Sequence, residues 1–119
     1  MPTVADLPKP VARFIQAVND TNRELLISTF AEDAFVNDQL CEHRGAEAIG
    51  RWADAELIGK ALHMDVIDAR KHYATVILSA RVDGDFDKLG LPDPLVLHFY
   101  FTTRRGKLIQ LTILPKAEA

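Results

Sequence analysis

Residues 20 to 38 read DTNRELLISTFAEDAFVND, and this stretch decides the fold. Asn19-Asp20, where it begins, breaks a preceding helical pattern. Thr21-Asn22-Arg23-Glu24 has the form of a capping box, with a hydroxyl at the cap and a carboxylate three residues on. It predicts a second helix carrying Leu25, Leu26, Ile27 and Phe30, closed by Ala31 to Asp33. A short strand, Ala34 to Asp38, is predicted next.

Upstream, Val11, Phe14, Ile15 and Val18 fall at i, i+3, i+4 and i+7, one apolar helical stripe. Pro10 suits the first turn, where its missing N–H has no partner to lose. Residues 1–9, with Pro2 and Pro8, read as a loose lead-in. Downstream, Gln39 to Arg44 is a turn or a second short strand. Gly45 precedes a third helix, about Ala46 to Leu57, with Ile49, Trp52 and Ala53 on one face and Gly59 at its end.

The remainder reads as strands. Leu62 to Arg70 alternates loosely. Tyr73 to Asp83 alternates clearly, with Ala74, Val76, Leu78, Ala80 and Val82 pointing one way. Lys71-His72 is the expected turn before it, and Asp83-Gly84-Asp85 its end. Asp87 to Pro94, holding Gly90, Pro92 and Pro94, is an expected loop. Leu95 to Thr103 and Leu108 to Leu114 form a hairpin turned by Arg105-Gly106, and Lys116 to Ala119 is a tail. Three helices followed by four long strands predict an α+β fold: three N-terminal helices packed in the concave face of a curved, mostly antiparallel sheet.

Composition bounds the function. The 119 residues make one domain, residues 1–119 with a core at about 10–114, and can bury roughly 65% of the unfolded surface. No run approaches the ~18 apolar residues of a membrane span. Lys plus Arg is 14 against 17 Asp plus Glu, and the pI near 5.7 argues against nucleic acid as a partner. The lone Cys41 forms no internal disulfide. With no secretory pattern in residues 1–10, a cytoplasmic location is expected. The four histidines, His43, His63, His72 and His98, are scattered without metal spacing. Asp38, Glu42 and His43 together suit a solvated loop better than a metal site.

The order of elements resembles the SnoaL-like, nuclear transport factor 2-like superfamily, which includes ketosteroid isomerase. The stretch Asp20 to Asp38 looks like its second helix and first strand. Gly45-Ala46-Glu47-Ala48-Ile49 is similar to its third-helix entry, and Gly106-Lys107-Leu108 to its last hairpin. The resemblance implies a cystatin-like cone whose helices and sheet enclose an apolar cavity open at one end. It also implies a dimer through the outer sheet face. The mixed chemistry of Leu95 to Phe101, apolar on both faces, points to the same homodimer.

Asp38 matches the position of the isomerase general base. That chemistry needs a carboxylate facing an apolar pocket, where a carboxylate becomes a stronger base. Asn37-Asp38 is also good turn chemistry. The isomerase pairs its base with a tyrosine and a protonated aspartic acid, a worked example of carboxylate tuning. Here those positions match Phe14, which donates no hydrogen bond, and either His98 or Phe99. The choice depends on the length of the Arg105-Gly106 turn, because a one-residue slip exchanges the faces of a strand. In one register His98, Tyr100 and Thr102 line the cavity and His98 pairs with Asp38 as acid and base. In the other, Leu97, Phe99 and Phe101 face inward. Phe14, Trp52, His63 and Tyr100 are the expected pocket-lining residues, with Trp52 at the pocket or its mouth, and only one of His63 and Met64 can face in. Arg81 is expected to pair with surface carboxylates. The expected ligand is a small apolar molecule, bound or changed by isomerisation, cyclisation or dehydration, with no cofactor required. The alternative is a non-catalytic binding or interaction domain.

Overall fold

The computed structural model describes residues 7–115. The rest of the expected lead-in, residues 1–6, and the tail, residues 116–119, lie outside the described residues. α1 spans Lys9–Asn19, one residue earlier than Pro10, with Pro10 in its first turn. It buries Val11, Phe14, Ile15, Ala17 and Val18, the face its spacing predicts. Its end is pinned to the sheet. Asn19 donates from Nδ2 to the Met64 carbonyl at 2.9 Å and accepts the Met64 N–H at 2.7 Å.

α2 spans Arg23–Ser28. Its cap is Asn22, whose side chain accepts the Leu25 N–H at 3.1 Å. The expected cap, Thr21, sits instead at φ 52°, in the tight link between the two helices. The helix stops at Ser28, and Phe30 begins a strand rather than finishing the helix. β1 therefore runs Phe30–Asp38, longer than the expected Ala34 to Asp38. β2 is Cys41–Arg44, and α3 is Gly45–Trp52. The expected continuation to Leu57 is a wider, π-helical turn over Ala53–Ile58, in which the Gly59 N–H reaches the Asp54 carbonyl at 2.8 Å.

β3 is His63–His72, β4 Thr75–Asp83, β5 Val96–Arg104 and β6 Lys107–Pro115. The β3–β4 turn falls on Tyr73-Ala74 rather than Lys71-His72, because Tyr73 takes φ 54° and His72 pairs with Thr75. The β5–β6 turn is Arg105-Gly106 as expected. Both residues have positive φ, 53° and 75°, the backbone that a two-residue hairpin requires. The six strands form one curved, open sheet in the order β2-β1-β6-β5-β4-β3. Among the described residues only the β1–β6 pair is parallel.

The β5 register is the second of the two considered. Phe99 pairs with Ile113 and Phe101 with Leu111, and all four are buried, as is Leu97. His98 and Tyr100 lie on the opposite face. The physical reason is the chemistry of the two faces. Leu97, Phe99 and Phe101 carry only carbon, whereas burying the imidazole, phenol and hydroxyl of the other set demands partners for each. A bulge between Thr102 and Thr103 absorbs the parity left by the turn. At the closed end, Phe14 meets Phe101 edge-on at 5.1 Å and Phe30 at 6.0 Å, and Phe30 meets Trp52 at 6.5 Å. These rings fill the space between α1, α3 and the sheet.

Candidate functional site

At the other end the packing opens. β1, β4 and β6 run toward this end, and β3 and β5 start from it. Their terminal residues surround a cavity of about 380 Å³. Its apolar wall includes Leu57, Leu62, Leu97, Phe99 and Ile113, and its polar groups are Asp38, Gln39, Glu56, Lys60 and Asp87.

Asp38 is placed by both of the readings its sequence supports. It ends β1 at a tight turn, where Gln39 and Leu40 take φ 51° and 76° and Asp38 pairs with Cys41. Asn37 Oδ1 accepts the Leu40 N–H at 2.9 Å and steadies the turn. Half-buried, Asp38 also borders the cavity. Trp52 Nε1–H donates to its Oδ2 at 2.9 Å, and Gln39 Nε2 donates to Oδ1 at 3.3 Å. The indole holds Oδ2 and leaves Oδ1 to the exposed Gln39.

Glu56 and Lys60 come from the wide turn after α3 and form an ion pair at i, i+4. Among the described residues Lys60 is the one lysine or arginine that lines the cavity. A negative charge developing in the cavity therefore has Lys60 as its nearest kind of stabiliser, in the absence of a tyrosine at Phe14.

The other expected site residues divide differently. Phe14 is fully buried in the closed end and does not border the cavity. Trp52 is buried behind Asp38 and acts on the cavity through it. His98 sits on the outer sheet face, its Nδ1 2.8 Å from Ser79 Oγ. It is not brought to Asp38, so the acid–base pair of these two residues is not assembled. Tyr100 shares that outer face and lines no cavity wall, because it alternates with buried Phe99 and Phe101. His63 is exposed while Met64 is buried. His63 borders a separate outer cavity, described below. Arg81 pairs with Asp65 at 3.3 Å, the surface role expected of it. Among the described residues no three His, Cys, Asp or Glu side chains gather as a metal site, and no helix is long and apolar enough to cross a membrane.

Sequence reasoning missed Gln39, Glu56, Lys60 and Phe86. The spacing of Glu56 and Lys60 signals a helical ion pair. Nothing local says that the pair faces a cavity, since the walls come from separate segments.

No family model and no curated protein matches the chain. Solved structures do. A protein assigned as a polyketide cyclase from Sinorhizobium meliloti superposes with TM-score 0.84 at 27% identity, over 95% of this chain and 100% of that one. An NTF2-like protein from Cytophaga hutchinsonii gives TM-score 0.74 at 15% identity, over 98% and 92%. A protein assigned as a SnoaL-like polyketide cyclase from Jannaschia gives 0.73 at 18%, over 91% and 83%. The chain has the fold of these SnoaL-like and nuclear transport factor 2-like proteins.

Proposed function

We propose that the chain takes a small, largely apolar carbonyl compound into the mouth of its cone, with Asp38 as the base for proton transfer. One observation carries this reading: the Asp38 carboxylate borders an apolar cavity with one oxygen held by Trp52 at 2.9 Å. A carboxylate so positioned can remove a proton beside a carbonyl and return it to another carbon, which is isomerisation, or open the way to cyclisation or loss of water. Lys60 is the cation in the lining, and an enolate would have to draw it from its ion pair with Glu56. Two structures of similar fold are assigned as polyketide cyclases, and cyclisation is among the reactions this arrangement would serve.

The test uses a generic carbon acid, 5-nitrobenzisoxazole, whose ring opens when a base removes its C–H. The expected result is saturable acceleration that falls by about 10²-fold in Asp38→Asn with the fold unchanged. Equal rates in both proteins would remove Asp38 from the mechanism. The second reading, binding without catalysis, is favoured by Phe14, which leaves the tyrosine-type donor unreplaced. It predicts that Asp38→Asn alters affinity for the probe but that neither protein accelerates its opening.

We also propose that two copies pair through the outer sheet face. Ile77, Val96, Tyr100 and Leu114 lie there, partly exposed. A strictly monomeric sedimentation profile at micromolar concentration would refute the pairing.

A further inference from the structure

A second cavity, about 510 Å³, lies beside the first on the outer side of the β3–β4 end. Its floor is the outward row His63, Asp65, Arg81 and Asp83, and its roof is the segment that joins β4 to β5, including Phe86, Leu91 and Pro92. Val82, Phe86, Leu91 and Leu95 border both cavities. The two spaces are thus neighbours across a thin apolar partition.

The partition is held differently from the walls around it. The joining segment is fastened at its two stems. Asp85 N–H donates to the Lys60 carbonyl at 2.6 Å, and Val82 N–H to the Leu95 carbonyl at 2.9 Å. Between them, the hydrogen bonds of the described residues stay within the segment: Leu89 N–H to Asp87 Oδ1, Leu91 N–H to the Lys88 carbonyl, and Lys88 Nζ to the Gly84 carbonyl. Phe86 and Leu91 therefore hold their places by apolar contact, by the Lys88 ammonium 5.0 Å over the Phe86 ring, and by the stapling of Lys88 to Asp83. Such a segment opens at lower free-energy cost than the strands that flank it.

We infer that the two cavities are the halves of one ligand site, and that its ligand is an elongated amphipath with an apolar body and an uncharged, hydroxyl-rich end. The inference rests on the mouth-binding reading above. The apolar body lies in the mouth, on Leu57, Leu97 and Phe99. The polar end lies in the outer cavity, past Phe86 and Leu91. The chemistry of the outer cavity selects against charge. Arg81 is paired with Asp65 at 3.3 Å and Lys88 with Asp83 at 3.1 Å, so an anionic end meets no uncommitted lysine or arginine in the lining. The paired ions keep spare N–H groups and carboxylate oxygens, which suit hydroxyls that both donate and accept. Phe86 and Pro92 offer flat apolar faces beside them. Asp93 enters no ion pair among the described residues, so a cationic end is the rival the test must separate.

The experiment titrates the protein with n-octanol, n-octyl β-D-glucoside below its micelle concentration, octylammonium and octanoate. Trp52 fluorescence reports the mouth, and backbone amide NMR shifts report both cavities. The glucoside is expected to bind about ten-fold tighter than octanol, the gain of one or two net hydrogen bonds. It should shift amides of Leu57 and Phe99 together with those of Asp65 and Arg81. The double variant Asp65→Ala/Arg81→Ala, confined to exposed side chains, should erase that gain and leave octanol binding unchanged. Octanol bound at the mouth with no gain from the glucose, or shifts confined to one cavity, would overturn the inference alone. Tighter binding of octylammonium or octanoate than of the glucoside would overturn the uncharged end. Failure of octanol itself to shift the mouth would bring down the mouth reading and this inference with it.

Discussion

The two ends of the cone use the same alternating strands to opposite effect. At the closed end Phe14, Phe30 and Phe101 meet ring to ring and exclude everything else. At the mouth the same strands run out into Asp38, Val82 and Ile113, and the space between them is left to a cavity and a loosely fastened segment. Trp52 joins the ends, its ring against Phe30 and its N–H on Asp38. The contrast teaches that stability and chemistry are separated along the strand axis. The rings that carry the core also hold the carboxylate still without touching a ligand.

The largest test of that separation is a pair of truncations. Phe14→Ala should cost about 3–5 kcal/mol in urea unfolding, because it empties a fully buried site between two other rings. Phe86→Ala, in the partition at the mouth, should cost about 1 kcal/mol or less. Similar costs for the two would abolish the distinction between ends.

Gly84→Ala comes next. An added Cβ would stand 2.7 Å from the Lys60 carbonyl oxygen, a backbone atom with no freedom to swing aside. The stem of the joining segment must shift, at roughly 1–3 kcal/mol. Amide exchange over residues 85–91 should accelerate while that of β5 and β6 stays slow. Uniform acceleration would mean that the segment and the sheet open together.

Trp52→Phe keeps a ring against Phe30 but removes the donor to Asp38. The expected loss is about 1 kcal/mol of stability, with the Asp38 side chain sampling more than one rotamer by NMR. A single retained rotamer would show that Gln39 and the turn suffice to hold it.

The smallest effect concerns Asp54, an exposed residue of the wide turn after α3. A hydrogen bond from Arg23 holds its carboxyl below the usual carboxylate range. Arg23 Nη2 stands 3.1 Å from Asp54 Oδ2. The folded state therefore binds this proton less readily than the unfolded one. The pair's contribution is present above the ordinary value, about 3.9, and fades as pH falls through the lower folded value. Asp54→Asn should flatten that acid limb in a pH series of unfolding midpoints, and salt should shrink it in the parent, since both side chains are half exposed. An unchanged limb would show that the pair adds nothing to stability.

Much of this was legible in the residues. The stripe Val11-Phe14-Ile15-Val18 named the buried face of α1, and Arg105-Gly106 named its own turn. Asp38 was legible as a candidate through the resemblance, because it ends the decisive stretch at the position that matches the isomerase base. Phe14 was legible as the loss of a hydrogen-bond donor but not as part of a ring cluster remote from the cavity. Glu56 and Lys60 were legible only as an ion pair. His98 and Tyr100 show the limit most clearly. Their chemistry invites a place in a pocket, yet they lie on the outer face beside Ser79.

The sequence by itself determined the order of helices and strands, the β5–β6 turn, and that one face of each element must be buried. These follow from local spacing and from backbone preferences that each residue carries with it. The tertiary structure decided which face of β5 turns inward, because a strand's parity is set by its partners and by the bulge at Thr102/Thr103, not by its own alternation. It also decided where the cavity lies, because a cavity is the space that several distant segments together fail to fill, and no one of them records that shortfall.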